Sequence, residues 1–196
     1  MFARTERLLL RPSWPEDAAD LHQAIADEGI VRNLASAPWP YAAADALDFA
    51  TQEHDPLYPA FLLMLRTHGA PRLIGSCGIS KYDGCVELGY WISRPYWGLG
   101  FATEASRAVI NIARTIGHKK LIASHFTDNL ASGNVLRKLG FRNTGKTASR
   151  HSNGRREAMT CALYEKALDD AGSEPTVMPP LPAFNIRATT DRLQAA

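Results

Sequence analysis

Arg94-Pro95-Tyr96-Trp97-Gly98-Leu99-Gly100-Phe101-Ala102-Thr103-Glu104-Ala105 decides how this chain is read. A strand-like run, Val86 to Ile92, leads into it, and a helix-like run, Ala102 to Ile116, leaves it. Gly98 and Gly100 lack a Cβ, so the backbone can bend sharply there and a ligand can come close to it. The following helix begins with N–H groups that have no intrahelical partner, at the positive end of its dipole. Strand, glycine loop and helix start together predict a diphosphate site. The alternative is a tight turn with a close helix–strand contact. The stretch lacks the third glycine of G-x-G-x-x-G and the lysine of G-x-x-x-x-G-K-[ST]. Dinucleotide and nucleotide-phosphate folds are therefore disfavoured.

Outward from this stretch the chain alternates strands and helices. Glu6 to Arg11 reads as a first strand. Ser13 can cap a helix with Pro15, Glu16 and Asp17 in its first turn and Leu21 and Ile25 on its apolar face. Ile30 to Leu34 reads as a short helix, and Pro38 to Tyr41 as a turn. Ala42 to Glu53 is helical, with Ala43, Leu47 and Ala50 on one face. Ala60 to Arg66, Arg72 to Lys81 and Val86 to Ile92 form a meander, with turns at His68-Gly69-Ala70-Pro71 and Asp83-Gly84. After the glycine loop, Ala105, Val109, Ile112 and Ile116 recur at helical spacing, and Gly117 suits the C-terminal cap. A strand from Lys120 to Phe126 then feeds a helix. Phe141 to Ser149 and Arg156 to Tyr164 finish as a hairpin around Asn153-Gly154. The order is β-α-α-β-β-β-α-β-α-β-β, without an internal repeat. Residues 1–170 read as one domain. Residues 171–196, with Pro175, Pro179, Pro180 and Pro182, read as an extended tail.

Composition bounds the function class. The chain has 196 residues, 45% hydrophobic and 21% charged, as a globular domain does. The formal net charge of +2 makes no electrostatic case for nucleic acid. No stretch is long and apolar enough to span a membrane, and Met1 to Arg7 is too polar for a signal peptide. Cys77, Cys85 and Cys161 form no C-x-x-C pair, and no His/Cys pair has ligand spacing, so no metal is expected. A reduced, cytoplasmic protein is the simplest reading.

A second motif sharpens the first: Asp128-Asn129-Leu130-Ala131-Ser132-Gly133-Asn134, running on to Lys138-Leu139-Gly140-Phe141. With Thr5-Glu6-Arg7-Leu8-Leu9-Leu10-Arg11-Pro12 and Gly89-Tyr90-Trp91-Ile92 through the glycine loop, these blocks resemble the GNAT N-acetyltransferase superfamily. The nearer resemblance is to its Rim-type branch, the ribosomal-protein N-terminal acetyltransferase-like enzymes. The blocks stand in the family's order and cover the chain to about residue 166. The resemblance implies an α+β (mixed α/β) GNAT fold: a central, mostly antiparallel, twisted sheet, splayed at the coenzyme site and flanked by helices. It implies acetyl-CoA as cosubstrate and transfer of its acetyl group to a primary amine, on a protein N-terminus or a small molecule. The chain would act as a monomer or homodimer. A non-catalytic acetyl-CoA sensor is the alternative.

The resemblance also assigns residues. Backbone N–H groups from Leu99 to Thr103 would cradle the pyrophosphate, so Gly98, Leu99, Gly100, Phe101, Ala102 and Thr103 are the expected loop. Trp97 stands at the loop's start, where many members carry Arg or Gln; the Rim-type branch commonly has Trp there, which packs. Trp91 and Ile92 lie on the strand whose open edge pairs with the pantetheine arm. Asn129, Ser132 and Asn134 face the arm, and Asn129 also suits a helix cap. The resemblance places Ser132 to meet the coenzyme sulfur and protonate the departing thiolate, the alternative being an exposed helix serine. Leu136 occupies the position where many members carry a catalytic tyrosine, which weakens the case for a dedicated acid. Glu87 is the candidate base, or else half of a cross-strand charge pair. His125 is a secondary candidate, and Arg150 stands where some Rim-type enzymes carry an acid. The acceptor pocket is expected around Trp39, Tyr41, His54, Tyr58, Arg150, His151, Arg155 and Arg156. Those arginines would suit an acidic acceptor or form a solvated basic hairpin.

Overall fold

Alternating side chains divide this sheet into two faces, each buried against helices. The strands are β1 (Ala3–Arg4), β2 (Leu8–Arg11), β3 (Ala60–Leu65), β4 (Arg72–Tyr82), β5 (Cys85–Ile92), β6 (Lys120–Phe126), β7 (Arg142–Ser152) and β8 (Glu157–Ala167). The helices are α1 (Ala18–Ile25), α2 (Glu28–Val31), α3 (Ala43–Thr51), α4 (Phe101–Ile116) and α5 (Leu130–Lys138). This computed structural model describes residues 1–168 other than His54. The expected tail at 171–196 lies outside the described residues.

Leu8, Leu10, Phe61, Leu63, Cys77, Ile79 and Leu88 share one face and pack on α4 through Phe101, Ala105, Val109, Ile110 and Ala113. Leu62, Met64, Leu73 and Trp91 share the other, under Leu21, Ile25, Tyr41, Ala46 and Ala50. Phe61 and Val109 are fully buried; removing such a side chain from water stabilises by roughly 1.5–3 kcal/mol. The result is a three-layer α/β/α sandwich. Its sheet runs β1-β2-β3-β4-β5-β6-β8-β7. Every pair is antiparallel except β5–β6, which is parallel and meets only at Glu87 and Ile122. From Leu88 and Ala123 onward the two strands part. That splay is the feature the resemblance implies.

The meander, the glycine-loop helix and the terminal hairpin form where expected, with longer final strands. Three local readings change. Ser13 does not cap the first helix: Trp14 precedes a 3-10 turn at Pro15–Asp17, and its N–H donates to Asp17 Oδ2 at 2.8 Å. Arg11 locks the same carboxylate with two bonds of 2.6 and 2.7 Å. The apolar face of α3 is rotated: Ala46 and Ala50 are buried, whereas Leu47 is 47% exposed. The small side chains of Ala46 and Ala50 pack α3 toward α1, and Leu47 points outward. Finally, β1 is an additional short strand, and the short helix expected at Ile30 to Leu34 starts earlier, as α2.

Candidate active site

The glycine loop lies at the mouth of the splay. Gly98 and Gly100 have φ of 75° and 84°, in the left-handed region that disfavours side chains. The first backbone bond of α4 runs from Glu104 N to Gly100 O at 3.0 Å. The N–H groups of Phe101, Ala102 and Thr103 therefore emerge from the helix start without a backbone acceptor. Arg7 fixes the loop. It donates to Leu99 O at 3.0 Å, pairs with Glu104 Oε2 at 2.6–2.7 Å and lies 4.1 Å over the Phe101 ring. The trans peptide then turns the Gly100 N–H away from Arg7. Glu104 also accepts the Arg7 N–H at 2.9 Å and the Thr5 hydroxyl at 2.6 Å. Burial opposes its charge, but those three donors hold its carboxyl below the ordinary value of 4.5. The first and second sequence blocks are thus one structure.

A cleft of about 630 Å³ runs from this loop along β5 to the start of α5. It is lined by Trp91, Ile92, Trp97, Gly98, Gly100, Phe101, Ala102, Thr103, Asn129, Ser132 and Asn134, and by Glu87, Ser124, His125 and Arg150. Leu99 is not in the lining; its role is the carbonyl held by Arg7. Trp97 donates its indole N–H to Ile92 O at 2.6 Å, so it braces the strand end, as expected of a packing residue. Asn129 caps α5, its Oδ1 accepting from Ser132 N at 3.2 Å.

Ser132 has a partner that sequence reading missed. Tyr90 Oη lies 2.8 Å from Ser132 Oγ and donates toward Ser132 O at 3.2 Å. Burial pushes the phenol up to about 12, beyond the lowering effect of its bond to Ser132, so it keeps its proton at neutral pH. Strand alternation was the available signal. It places Tyr90 opposite Glu87, on the face that α5 covers.

Glu87 is a cross-strand pair. Arg150 Nη1 and Nη2 donate to its two oxygens at 2.8 and 3.0 Å, and the Ser124 hydroxyl donates to Oε1 at 2.9 Å. Both partners are mostly buried, and Tyr82 stacks on Arg150 at 3.8 Å. His125 donates Nδ1–H to Phe126 O at 2.8 Å, which leaves Nε2 without a hydrogen in the neutral ring. That atom faces Gly133, where a Cβ would come within 2.7 Å.

The expected acceptor lining divides. Tyr41 and Tyr58 border a second cleft of about 810 Å³ on the α3 side of the sheet. Arg155 is committed to Asp128 at 2.7 and 2.9 Å and to Arg32 O at 2.7 Å, and Arg156 donates to Trp39 O at 3.2 Å. Arg150 on Glu87 and Arg155 on Asp128 are thus paired with carboxylates, whereas the exposed Arg156 meets a carbonyl and has no ion-pair partner among the described residues. Trp39 and His151 border neither cleft, and His54 lies outside the described residues. No group of His, Cys, Asp and Glu among the described residues could hold a metal. No described helix is long and apolar enough to cross a membrane.

Comparisons with known proteins agree with this geometry. An uncharacterised N-acetyltransferase, p20, of Bacillus licheniformis is 29% identical over 149 residues, 72% of this chain and 82% of that protein. A GNAT-family acetyltransferase crystal structure from Bacillus anthracis superposes with a TM-score of 0.73 at 24% identity, over 87% of this chain and all of the other. RimL, a ribosomal L7/L12 α-N-protein acetyltransferase solved with coenzyme A, superposes at 0.69 with 17% identity, over 85% of this chain and 98% of that one. Residues 7–142 match the acetyltransferase (GNAT) domain, and the chain belongs to that family of acetyltransferases.

Proposed function

We propose that this protein moves the acetyl group of acetyl-coenzyme A to a primary amine by direct attack in a ternary complex, as a Rim-type enzyme. The observation that supports this most is the splay past Glu87–Ile122. It has the glycine loop at one end and the Ser132–Tyr90 pair, which joins α5 to β5, along its side. The N–H groups of Gly100 to Thr103 would hold the pyrophosphate, and the open edge of β5 at Trp91 and Ile92 the pantetheine arm. Asn129, Ser132 and Asn134 line the far side.

Bound acetyl-coenzyme A supplies the acetyl group as an activated thioester. An α-amino group, with an ordinary pKa of about 7.7–8.0, must lose a proton to attack. Glu87 is the carboxylate at the point where the strands part. Its Oε2 accepts one bond, from Arg150, and keeps a lone pair for a proton relayed through water. Ser132 Oγ–H gives its proton to the departing sulfur and regains one from solvent water, while Tyr90 Oη, 2.8 Å away, keeps its own proton and holds the serine oxygen in place.

Calorimetry with acetyl-CoA, coenzyme A and ATP tests the ligand; the first two should bind and ATP should not. Thiol release across a panel of amines tests transfer. Tight binding without release for any amine would favour a sensor.

A further inference from the structure

The second cleft continues the first. Both are lined by Leu34, Ala35, Ser36, Gly89, Tyr90 and Trp91, so a molecule seated in the second reaches the splay. Its floor is made of small residues on one face of the sheet: Ser76, Gly78 and Ser80 on β4, with Gly89 on β5. Its rim is acidic. Asp45, Asp48, Glu53 and Asp55 line it, and Lys81 is the single cation among the described lining residues.

None of the four carboxylates is in an ion pair among the described residues. Among the described residues the Asp45 carboxylate accepts only the Ala42 N–H that starts α3, and the Asp55 carboxylate only the Leu57 N–H. Their charge is felt nearby: burial first, then Asp45 and Asp48, push the Tyr41 hydroxyl up to about 12. Independently, Ser76 is 7% exposed and has no hydrogen-bond partner for its hydroxyl among the described residues. Every fully buried polar side-chain atom does have one. The Ser76 hydroxyl therefore faces the floor of the cleft with its bonding capacity open. Tyr41, Tyr58 and Trp91 add aromatic faces.

We infer that the acceptor is a small polycation, an amine joined by a short chain to a second ammonium group, seated across this cleft with Ser76 beneath it and the acidic rim around its distal charge. The assignment rests on the acetyl-transfer reading for which amine reacts. A volume of about 810 Å³ falls in the range of small-molecule sites. None of the arginines expected to recognise an acidic acceptor lines this cleft, and Arg150 and Arg155 are paired with carboxylates, so the charge preference is opposite to that expectation.

The test uses the full chain loaded with coenzyme A. Spermidine should bind in calorimetry, and 1-aminobutane at least tenfold more weakly. Asp48→Asn with Glu53→Gln should weaken spermidine by tenfold or more and leave 1-aminobutane unchanged, and 0.5 M salt should do the same. Both positions are exposed, so the fold should persist. Ser76→Val should weaken both amines. Equal binding of the two amines, or no loss in the double variant, would overturn the cleft assignment. A lysine-rich peptide acetylated faster than spermidine at its N-terminus would overturn the small-molecule class. If coenzyme A itself fails to bind, the transfer reading fails, and spermidine titrated into the free protein still decides the cleft.

Discussion

The two clefts meet at Gly89–Trp91 but are built in opposite ways. The first is made of backbone: left-handed glycines, N–H groups at a helix start and an open strand edge. The second is made of side chains, with carboxylates and aromatic rings from α3, its flanking loops and the strands. A backbone site recognises what every acyl-coenzyme A has in common and tolerates sequence change. A side-chain site can be rewritten one residue at a time. On the proposed reading, that difference would separate a constant donor from a variable acceptor in one continuous space.

The comparison breaks first at the backbone. Gly100→Val puts a β-branched side chain at φ 84° and a Cβ 3.6 Å from Arg7 Nη2. The loop must shift, and its N–H groups lose their common direction. Acetyl-CoA affinity should fall about 1,000-fold, roughly 4 kcal/mol, while far-UV circular dichroism stays native. Unchanged affinity would show that the loop is only a turn.

The helical layer that carries the second cleft is anchored by Arg11 and Asp17, each with a side chain about 11% exposed. Asp17→Ala strands a mostly buried guanidinium and frees the Trp14 N–H at the entry to α1. The cost should be about 3 kcal/mol, lowering the thermal midpoint by roughly 6–12 °C. Coenzyme affinity should change little, because the loop is held by Arg7. Equal loss of both would show that the clefts are one cooperative unit.

Ser132 and Tyr90 sharpen the comparison at the boundary. Ser132→Ala should lower kcat by about 100-fold and KM for acetyl-CoA hardly at all. Tyr90→Phe should lower kcat by about tenfold. The double variant should match Ser132→Ala, because Tyr90 acts through the Ser132 hydroxyl that it positions. Additive losses would separate their roles.

The backbone-built half was legible because its signals are local. Glycines before a helix, alternation in β2 to β5 and the Asn129 cap each depend on a few neighbouring residues. The side-chain half was not. Arg150 reaches Glu87 across 63 positions, and Arg155 reaches Asp128 across 27. Reading the hairpin alone left those arginines looking available. The α3 face turned on whether Leu47 or Ala46 fits against α1, which periodicity within α3 cannot decide. Tyr90 stood in plain view, but its role needs the start of α5, 42 positions away.

The smallest effect tests whether the backbone cleft leans on a side chain at all. Glu104 ties Arg7 and Thr5 to the glycine loop, and its carboxyl is held below 4.5. A depressed carboxylate stabilises the fold fully above its unfolded value, and the contribution disappears as pH falls through the folded value. Glu104→Gln keeps the shape and loses the charge. Its thermal midpoint should lie about 2–4 °C below the parent, or about 1 kcal/mol. The gap should be constant from pH 7 to pH 5 and close below about pH 4.5. Acetyl-CoA affinity near neutral pH should weaken only severalfold, because the N–H groups remain and only their anchor loosens. A gap that does not narrow at all as pH falls below 4.5 would place the effect in the shape of the substituted amide rather than in the lost charge of Glu104, and the clamp would be a packing contact.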